Sequence, residues 1–288
     1  MDYVLMTDSS ADLPWSYYKE HQIPFIPLEV TVGNDCVPDN GKMKSSVFFS
    51  RLRAGEVAST SQIGLQAFLD AFDAVLCQGK NILFLGLSSG LSESYRNACL
   101  ARDEMNEKHP GLSVHICQTS SVSMGLGLMV HKARILRDGG MEFSKLCAWA
   151  EDNRLRFIHL FTVDDLMFLH RGGRVSKASA VLGSVLGIKP MLYVSHEGKL
   201  IPYSKLRGRR QSLLGLADGI AKRISTTELD AVFISHGDCE QDAVFLLDEI
   251  KKRYIVHDSL IHSLGATIGA HAGPGTVALF FEGVERTE

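Results

Sequence analysis

A loop of serines and glycines contains the residues whose types and spacing could do chemistry. Ser88, Ser89 and Ser92 follow the apolar run Asn81–Leu85, and an amphipathic helical pattern begins near Ser94. In α/β proteins, ligands bind where a strand ends in such a loop before a helix, because backbone N–H groups and the helix dipole face outward there. The stretch therefore predicts a site for an anion or a nucleophile.

Two interpretations of this loop remain open from its own residues. Residues 86–90 fit the G-x-S-x-G pattern of a nucleophile elbow, which would make Ser88 the nucleophile of an esterase. Asp238 and His271 would then complete a triad in the order Ser, acid, His, with His236 as the other candidate base. Alternatively, the serines form a cradle for a carboxylate or phosphate and attack nothing.

Two further hydroxyl clusters accompany this loop. Residues 59–62 (Ser-Thr-Ser-Gln) precede a run with helical spacing, and residues 119–123 follow the apolar pattern of 113–117. Serine and threonine are favoured at helix N-caps for structural reasons alone, so either cluster could be only a cap. Three such clusters in succession favour a polar pocket that they share.

The second half of the chain contains a pair of arginines at a glycine turn. Arg171 and Arg174 flank Gly172-Gly173, an arrangement that suits a fork-like grip on an oxyanion. The same arginines could instead pair with Asp164 or Asp165. A basic run over 205–210 is expected to enter a helix as a solvated face.

The composition is typical of a globular protein. Of 288 residues, 45% are hydrophobic and 22% charged, and the formal net charge is −3, so nothing indicates nucleic-acid binding. No window approaches the roughly 20 apolar residues of a membrane span, and the first residues do not resemble a signal peptide. The six cysteines are scattered without a C-x-x-C or a zinc-like spacing, so we expect a reducing, cytoplasmic location and no metal site.

Strand and helix patterns alternate in both halves, which predicts two α/β domains. We place the first domain at 1–156, with a small insertion at about 33–56, and the second at 157–288. Residues 178–186 are almost wholly apolar and predict a short helix.

Six motifs in a fixed order resemble one family over essentially the whole length. Separately each is weak, but together they are specific, and they identify the chain as similar to the DegV family of bacterial lipid-binding proteins. In this sequence they are Thr7-Asp8-Ser9-Ser10-Ala11-Asp12-Leu13, Thr60-Ser61-Gln62, Ser88-Ser89-Gly90-Leu91-Ser92, Arg171-Gly172-Gly173-Arg174-Val175-Ser176, Ile188-Lys189-Pro190 and His271-Ala272-Gly273-Pro274-Gly275.

The resemblance implies a DegV-like fold of two α/β domains that holds one long-chain fatty acid in an apolar tunnel, with its carboxyl group near the domain junction. It further implies that a separate ATP-using kinase subunit converts the bound acid to acyl-phosphate for phospholipid synthesis. The chain would then have no catalytic residues, metal or cofactor of its own, and a transient contact with a membrane surface is compatible with this role. The alternative within the same family is a fatty acid sensor or store without a kinase partner.

The resemblance also assigns residues. Thr60 and Ser92 would bind the carboxylate through their hydroxyls, helped by Ser89 and by backbone N–H groups around Gly90. Glu93, where the family usually has glycine, adds a negative charge beside this anion site. The groups that would neutralise the phosphate are Arg171, Arg174, Arg207 and His271. Candidates for the apolar wall, which ordinary core packing would also explain, are Leu166, Phe168, Ala178, Val181, Leu182, Leu186 and Leu192.

Overall fold

The computed structural model describes residues 2–176 and 187–286. The strands of this part are Tyr3–Asp8 (β1), Phe25–Ile26 (β2), Glu29–Val32 (β3), Asp35–Pro38 (β4), Ala58–Ser61 (β5), Asn81–Leu85 (β6), Val114–Cys117 (β7), Phe157–Thr162 (β8), Ile188–Val194 (β9), Leu200–Arg207 (β10), Glu228–His236 (β11), Ile255–Ser263 (β12) and Val277–Glu282 (β13). The helices are Trp15–Glu20 (α1), Ser45–Arg53 (α2), Leu65–Leu76 (α3), Ser94–Lys108 (α4), Met124–Asp138 (α5), Phe143–Asn153 (α6), Met167–Arg171 (α7), Arg209–Asp218 (α8), Glu240–Lys251 (α9) and Ala266–Ala272 (α10). The apolar helix expected at 178–186 lies outside the described residues. Among the helices of the described ranges, none has the length and apolar character needed to cross a membrane.

The first half of the chain forms a parallel four-stranded sheet in the order β2-β1-β6-β7. Its central strands are apolar and buried on both faces, as parallel strands covered by helices must be. Pro24 and Pro27 flank β2 at the sheet edge, where the missing N–H groups do no harm. Because β1, β6 and β7 run parallel, the polar loops that follow them leave the sheet at one edge.

The second half forms a mixed six-stranded sheet in the order β10-β9-β8-β13-β11-β12. Strand β10 pairs with β9 as far as Arg207, which lies opposite Ile188. The expectation that the basic run over 205–210 enters a helix is therefore wrong for Lys205 and Arg207, since α8 begins only at Arg209. Pairing with β9 outweighs the helix-forming tendency of the run.

A small antiparallel sheet in the order β4-β3-β5, with α2 between β4 and β5, corresponds to the expected insertion. It is wider than 33–56, because β3 begins at Glu29 and β5 ends at Ser61. Thr60 lies on β5, opposite Val30, and not at the head of a helix as the sequence suggested. Helix α3 begins only at Leu65, with Gly64 as its N-cap.

Helix α5 connects the two larger sheets. It contacts β1 as well as β8, β11 and β13, and a single hydrophobic core surrounds it. Gly125 and Gly127 allow this close packing, because a Cβ would lie 2.1 Å from His159 Nε2 at the first position and 2.6 Å from the Ala11 carbonyl oxygen at the second. The sheets divide at residue 157, where β8 begins, and the fold is α/β as expected. The exact domain boundary stays a prediction.

Candidate functional site

A cavity of about 840 Å³ lies between the strand-end loops of the first half and the sheet of the second half. Its wall is mainly aliphatic and aromatic. The apolar lining residues are Leu28, Leu87, Leu91, Val122, Phe161, Leu169, Val175, Val194, Leu200, Ile201, Pro202, Leu264, Ile268, Ala272, Ala278 and Phe280. A volume of this size is typical of sites that enclose most of a small ligand.

Thr60, Ser92, Arg174 and His271 also line this cavity, and we call these four residues the polar end. They come from β5, from the loop before α4, from the segment after α7 and from α10. Each of the three hydroxyl clusters reaches the same cavity, since Ser123 of the third cluster also lines it. The pocket expected from the sequence therefore exists.

Thr60 and His271 are direct partners, although they are far apart in the chain. Thr60 Oγ1 lies 2.8 Å from His271 Nε2, and the buried Nδ1 atom of the ring has no hydrogen-bond partner among the described residues. Burial, together with the positive charge of Arg174, lowers the pKa of His271 to about 4. The ring is therefore neutral at neutral pH, and it could neutralise a bound phosphate only by taking up a proton.

Arg174 is a cation without a counter-ion within the described ranges. Its Nη2 donates to the Leu91 carbonyl oxygen at 2.7 Å and its Nε to the same oxygen at 3.2 Å, while Nη1 donates to the Gly172 carbonyl. No carboxylate of the described residues forms an ion pair with it. Burial lowers its pKa, because the charged form loses hydration. A partly buried cation beside an apolar wall favours an anionic ligand.

Ser88 does not have the surroundings of a nucleophile. It is 1% exposed, its Oγ donates to the Gly198 carbonyl at 3.0 Å and accepts from the Gly90 N–H at 3.1 Å. Of the candidate bases, His271 contacts Thr60, and His236 accepts the Cys239 N–H. The esterase interpretation is therefore wrong, because Ser88 joins this loop to the β9–β10 turn.

The backbone amides of the same loop are already engaged. The N–H groups of Leu91 and Ser92 both donate to the Ser88 carbonyl oxygen, at 3.1 and 3.2 Å, and that of Gly90 donates to Ser88 Oγ. The expectation that these amides are free to bind a carboxylate needs correction, since the turn before α4 uses them. Gly90 lines the cavity, and its role there is to leave space for the facing backbone. A Cβ at this position would lie 2.8 Å from the carbonyl oxygens of Glu197 and Gly198.

The serine hydroxyls of the loop can still form hydrogen bonds with a ligand. Ser92 Oγ lies 2.9 Å from Ser94 Oγ and accepts the Ser94 N–H at 3.2 Å. Ser89 Oγ accepts from Gln118 Nε2 at 2.9 Å. Both serines line the cavity, and each oxygen carries a proton that can be donated to a ligand.

Arg171 and Arg207 are not among the residues that line the cavity. Arg171 is exposed and its guanidinium lies 4.6 Å from the centre of the Phe168 ring, whereas Arg207 is exposed at the end of β10. Asp164, considered above as a partner for the arginines at the glycine turn, pairs with Lys189 at 2.6 Å. A phosphate-facing or partner-facing role for Arg171 and Arg207 stays a prediction.

Several lining residues were not recognised in the sequence. Lys199 brings a second cation to the wall, and Thr267 and Ile268 reach it from the short helix α10. Of the expected wall residues, Leu166 and Leu192 lie in the main core, and Phe168 packs beside the smaller core under α2. The other four, Ala178, Val181, Leu182 and Leu186, lie outside the described residues.

The two sheets, the apolar cavity between them and its polar end define the class of this molecule as an α/β protein built around a ligand cavity. A family model described as "Uncharacterised protein, DegV family" matches residues 3–283. The chain belongs to the DegV family.

Similar proteins cover nearly all of the chain. A DegV domain-containing protein of Clostridium perfringens is 40% identical over 283 residues, which are 98% of this chain and 97% of the relative. A protein of Thermotoga maritima named "Fatty acid-binding protein" is 31% identical over 289 residues, covering 98% of each chain. A solved structure described as "Fatty Acid Binding of a DegV family Protein from Thermus thermophilus" superposes with a TM-score of 0.89 at 28% identity, covering 99% of this chain and 100% of the other.

Proposed function

We propose that this protein binds one long-chain fatty acid, with the acyl chain in the apolar cavity and the carboxylate at the polar end. The observation that carries the proposal is Arg174, a cation that lines the cavity and donates only to backbone carbonyls within the described residues. A ligand that is anionic at one end and apolar along its length matches both parts of the cavity. The names of the Thermotoga and Thermus relatives support the same ligand class.

The free energies are compatible with this ligand. Complete burial of about fifteen methylenes, at roughly 0.8 kcal/mol each, would stabilise the complex by about 12 kcal/mol. Lost translational and conformational freedom opposes binding by about 4–15 kcal/mol. Tight binding therefore needs a cavity that exists before the ligand arrives and a carboxylate with full hydrogen bonding.

The polar end can supply those hydrogen bonds. When His271 carries its proton on Nε2 it donates to Thr60, and the Thr60 hydroxyl proton is then available to the ligand. Within the described ranges, Arg174 donates three of the five N–H bonds of its guanidinium, which leaves two for a ligand. Ser92 contributes a further hydroxyl.

We further propose, from the family resemblance, that the bound acid is presented to a separate ATP-dependent kinase subunit for conversion to acyl-phosphate. The rim of the cavity beside the polar end is open to a partner, since Gly90 and Glu93 line it and are exposed. Arg171 and Arg207, which are exposed away from the cavity wall, would face the partner.

Binding is tested by native mass spectrometry of the purified protein before and after denaturation. We expect one bound fatty acid per chain, released on denaturation and restored when the delipidated protein is incubated with a long-chain acid. A protein that is empty as purified and takes up no acid after incubation would contradict the proposal.

Presentation of the bound acid to a kinase is tested in a separate experiment. The protein is mixed with an ATP-dependent fatty acid kinase subunit and ATP, and hydroxylamine is added to trap any acyl-phosphate. We expect trapped product from the wild type and a large decrease in Arg174→Ala, at fatty acid concentrations that fill both proteins. Full lipid binding with no trapped product from any kinase offered would instead favour a store or sensor.

A further inference from the structure

Three metal-ligand side chains converge away from the cavity, at the C-terminal ends of α3 and α4. Asp73 lies in the last turn of α3 and Cys77 is its C-cap, and because the two are four residues apart they lie on the same side of the helix end. His109 is the C-cap of α4. One carboxylate oxygen, the thiol sulfur and one imidazole nitrogen all lie within 4.8 Å of one another.

The spacing suits a single metal ion. With zinc-to-ligand bonds of about 2.0–2.3 Å, neighbouring ligand atoms of a tetrahedral site are about 3.5 Å apart. His109 Nε2 now contacts Asp73 Oδ1 at 2.6 Å, so an ion would enter between them after a small rotation of the carboxylate. The His109 side chain is mostly buried, with 16% of it exposed, whereas Cys77 is exposed to solvent. The site is thus partly formed and accessible.

The local field favours a cation. The C-terminal end of a helix carries a partial negative charge, and two such ends meet here. The ammonium group of Lys108 already lies 2.9 Å from Asp73 Oδ1. Its side chain is 55% exposed, so it can move into solvent when a metal ion takes its place.

We propose that Asp73, Cys77 and His109 form a binding site for a borderline divalent transition-metal ion such as Zn²⁺. The donor set of one sulfur, one nitrogen and one oxygen suits Zn²⁺, Co²⁺ or Ni²⁺ and does not suit Mg²⁺ or Ca²⁺, which prefer oxygen ligands. Three protein ligands leave one coordination position for water.

The ion would link the ends of two helices that pack against each other. Helices α3 and α4 share a hydrophobic core that includes Phe72, Leu76 and Met105. A ligand that binds only the folded state stabilises it in proportion to the logarithm of its concentration over Kd. The metal therefore raises the melting temperature of the protein whether or not the cavity holds a lipid.

The test uses the full chain, stripped of metal with a chelator and kept reduced, and titrated with CoCl₂ and then with ZnCl₂ in competition. We expect saturation at one equivalent and a sulfur-to-cobalt charge-transfer band in the near ultraviolet. Cys77→Ser removes the band, and His109→Gln weakens binding at least tenfold. Lys108→Gln tightens binding, an effect that misfolding cannot imitate.

Two matched controls separate this site from general surface binding. Cys36→Ser removes another exposed thiol, and His257→Gln breaks an exposed His–carboxylate pair with Glu228 at 3.0 Å. Neither change should alter the titration. The proposal is overturned if no one-equivalent saturation occurs, or if the band survives in Cys77→Ser.

Discussion

Two groups of buried ionisable residues near the cavity differ in how completely they are hydrogen-bonded. The acidic cluster, Asp8, Asp12 and Asp39, lies in the interior with exposures of 1%, 4% and 5%. Asp8 accepts the Leu87 N–H at 2.8 Å and Asp12 accepts the Gly265 N–H at 2.9 Å. Burial raises the pKa of all three carboxyls, and each is held by donors from distant parts of the chain.

The polar end has the opposite character. His271 keeps a buried nitrogen without a partner, and Arg174 keeps its charge without a carboxylate among the residues described. Burial alone therefore does not distinguish a binding site from a structural polar cluster. Unused hydrogen-bonding capacity on the wall of a cavity is the better indication, because a folded chain pairs most of its buried polar groups. The position on the wall is needed as well, since the buried Thr162 hydroxyl also lacks a partner among the described residues and does not line the cavity.

The largest expected effect concerns the acidic cluster. Asp12→Ala leaves the Gly265 N–H without its acceptor and removes Asp12 Oδ2, to which the Ser123 hydroxyl donates at 2.6 Å, so that Ser123 keeps only its contact with Ser235 Oγ at 2.9 Å. The free energy of unfolding should fall by about 3–5 kcal/mol, measured by urea denaturation. Asp12→Asn, which keeps one oxygen and tolerates the left-handed backbone at φ 52°, should lose much less. Equal losses in the two variants would show that the hydrogen bonds are not what matters.

The next largest effect is a pH dependence of the unfolding free energy of the lipid-free protein. The folded-state pKa of His271, at about 4, is below its ordinary value of 6.5, so between these pH values the unfolded chain binds a proton that the folded chain does not. Stability is therefore lost as pH falls from 6.5 to 4. The loss reaches about 3 kcal/mol, because each pKa unit corresponds to about 1.4 kcal/mol.

The difference in unfolding free energy between the wild type and His271→Gln, measured across this range, isolates the contribution of His271 from that of the acidic cluster, whose raised pKa values act in the opposite direction. A bound carboxylate should raise the pKa of His271 and flatten the dependence. A pH profile identical in wild type and His271→Gln would contradict this account.

The third effect concerns the contact that we propose between Arg174 and the carboxylate of the ligand. Arg174→Ala should weaken fatty acid binding about 10- to 100-fold, since a hydrogen bond to a charged group contributes about 1.5–3 kcal/mol. The unfolding free energy should change little, because the lost contacts to the Leu91 and Gly172 carbonyls are offset by the removal of a partly buried charge without a counter-ion among the described residues. Arg171→Ala, at the other end of the Gly-Gly turn and outside the cavity wall, is the matched control for calorimetry. Similar losses in the two variants would place the anion elsewhere.

The smallest effect tests Thr60. Thr60→Val keeps the shape of the side chain and removes its hydroxyl, so the affinity should fall about tenfold or less. Ser59 is the preceding, exposed residue of β5 and faces the other side, so Ser59→Ala should leave the affinity unchanged. Fluorescent fatty acid displacement measures both variants.

The sequence was sufficient for the parts of the site that follow from local patterns. A buried strand followed by glycine and serine residues predicted the loop of residues 86–92. The Gly-Gly turn made Arg171 and Arg174 candidates for an oxyanion site, and of the two only Arg174 lines the cavity. Its oxyanion role stays a prediction. The amide hydrogen bonds of the loop were not foreseeable, because they depend on the tight turn that the chain takes after Ser88. The residue types of the loop show which hydrogen-bonding groups it contains. They do not show which of those groups are already paired within the fold.

Other features required the fold. Helix α10 is only seven residues long and contains Gly269, so its pattern was too short to show that His271 lies on a helix. The residues of the wall could not be separated from core residues by hydrophobicity, as Leu192 shows. The approach of His109 to Cys77 depends on the packing of α3 against α4, and no spacing in the sequence indicated it.

The most direct test of the central claim is a crystal structure of the protein after delipidation and reloading with a single long-chain fatty acid. We predict elongated density in the cavity, with the carboxylate within hydrogen-bond distance of Thr60 Oγ1 and of the Arg174 guanidinium. An empty cavity, or a carboxylate bound to Lys199 with the acyl chain at the polar end, would contradict the account.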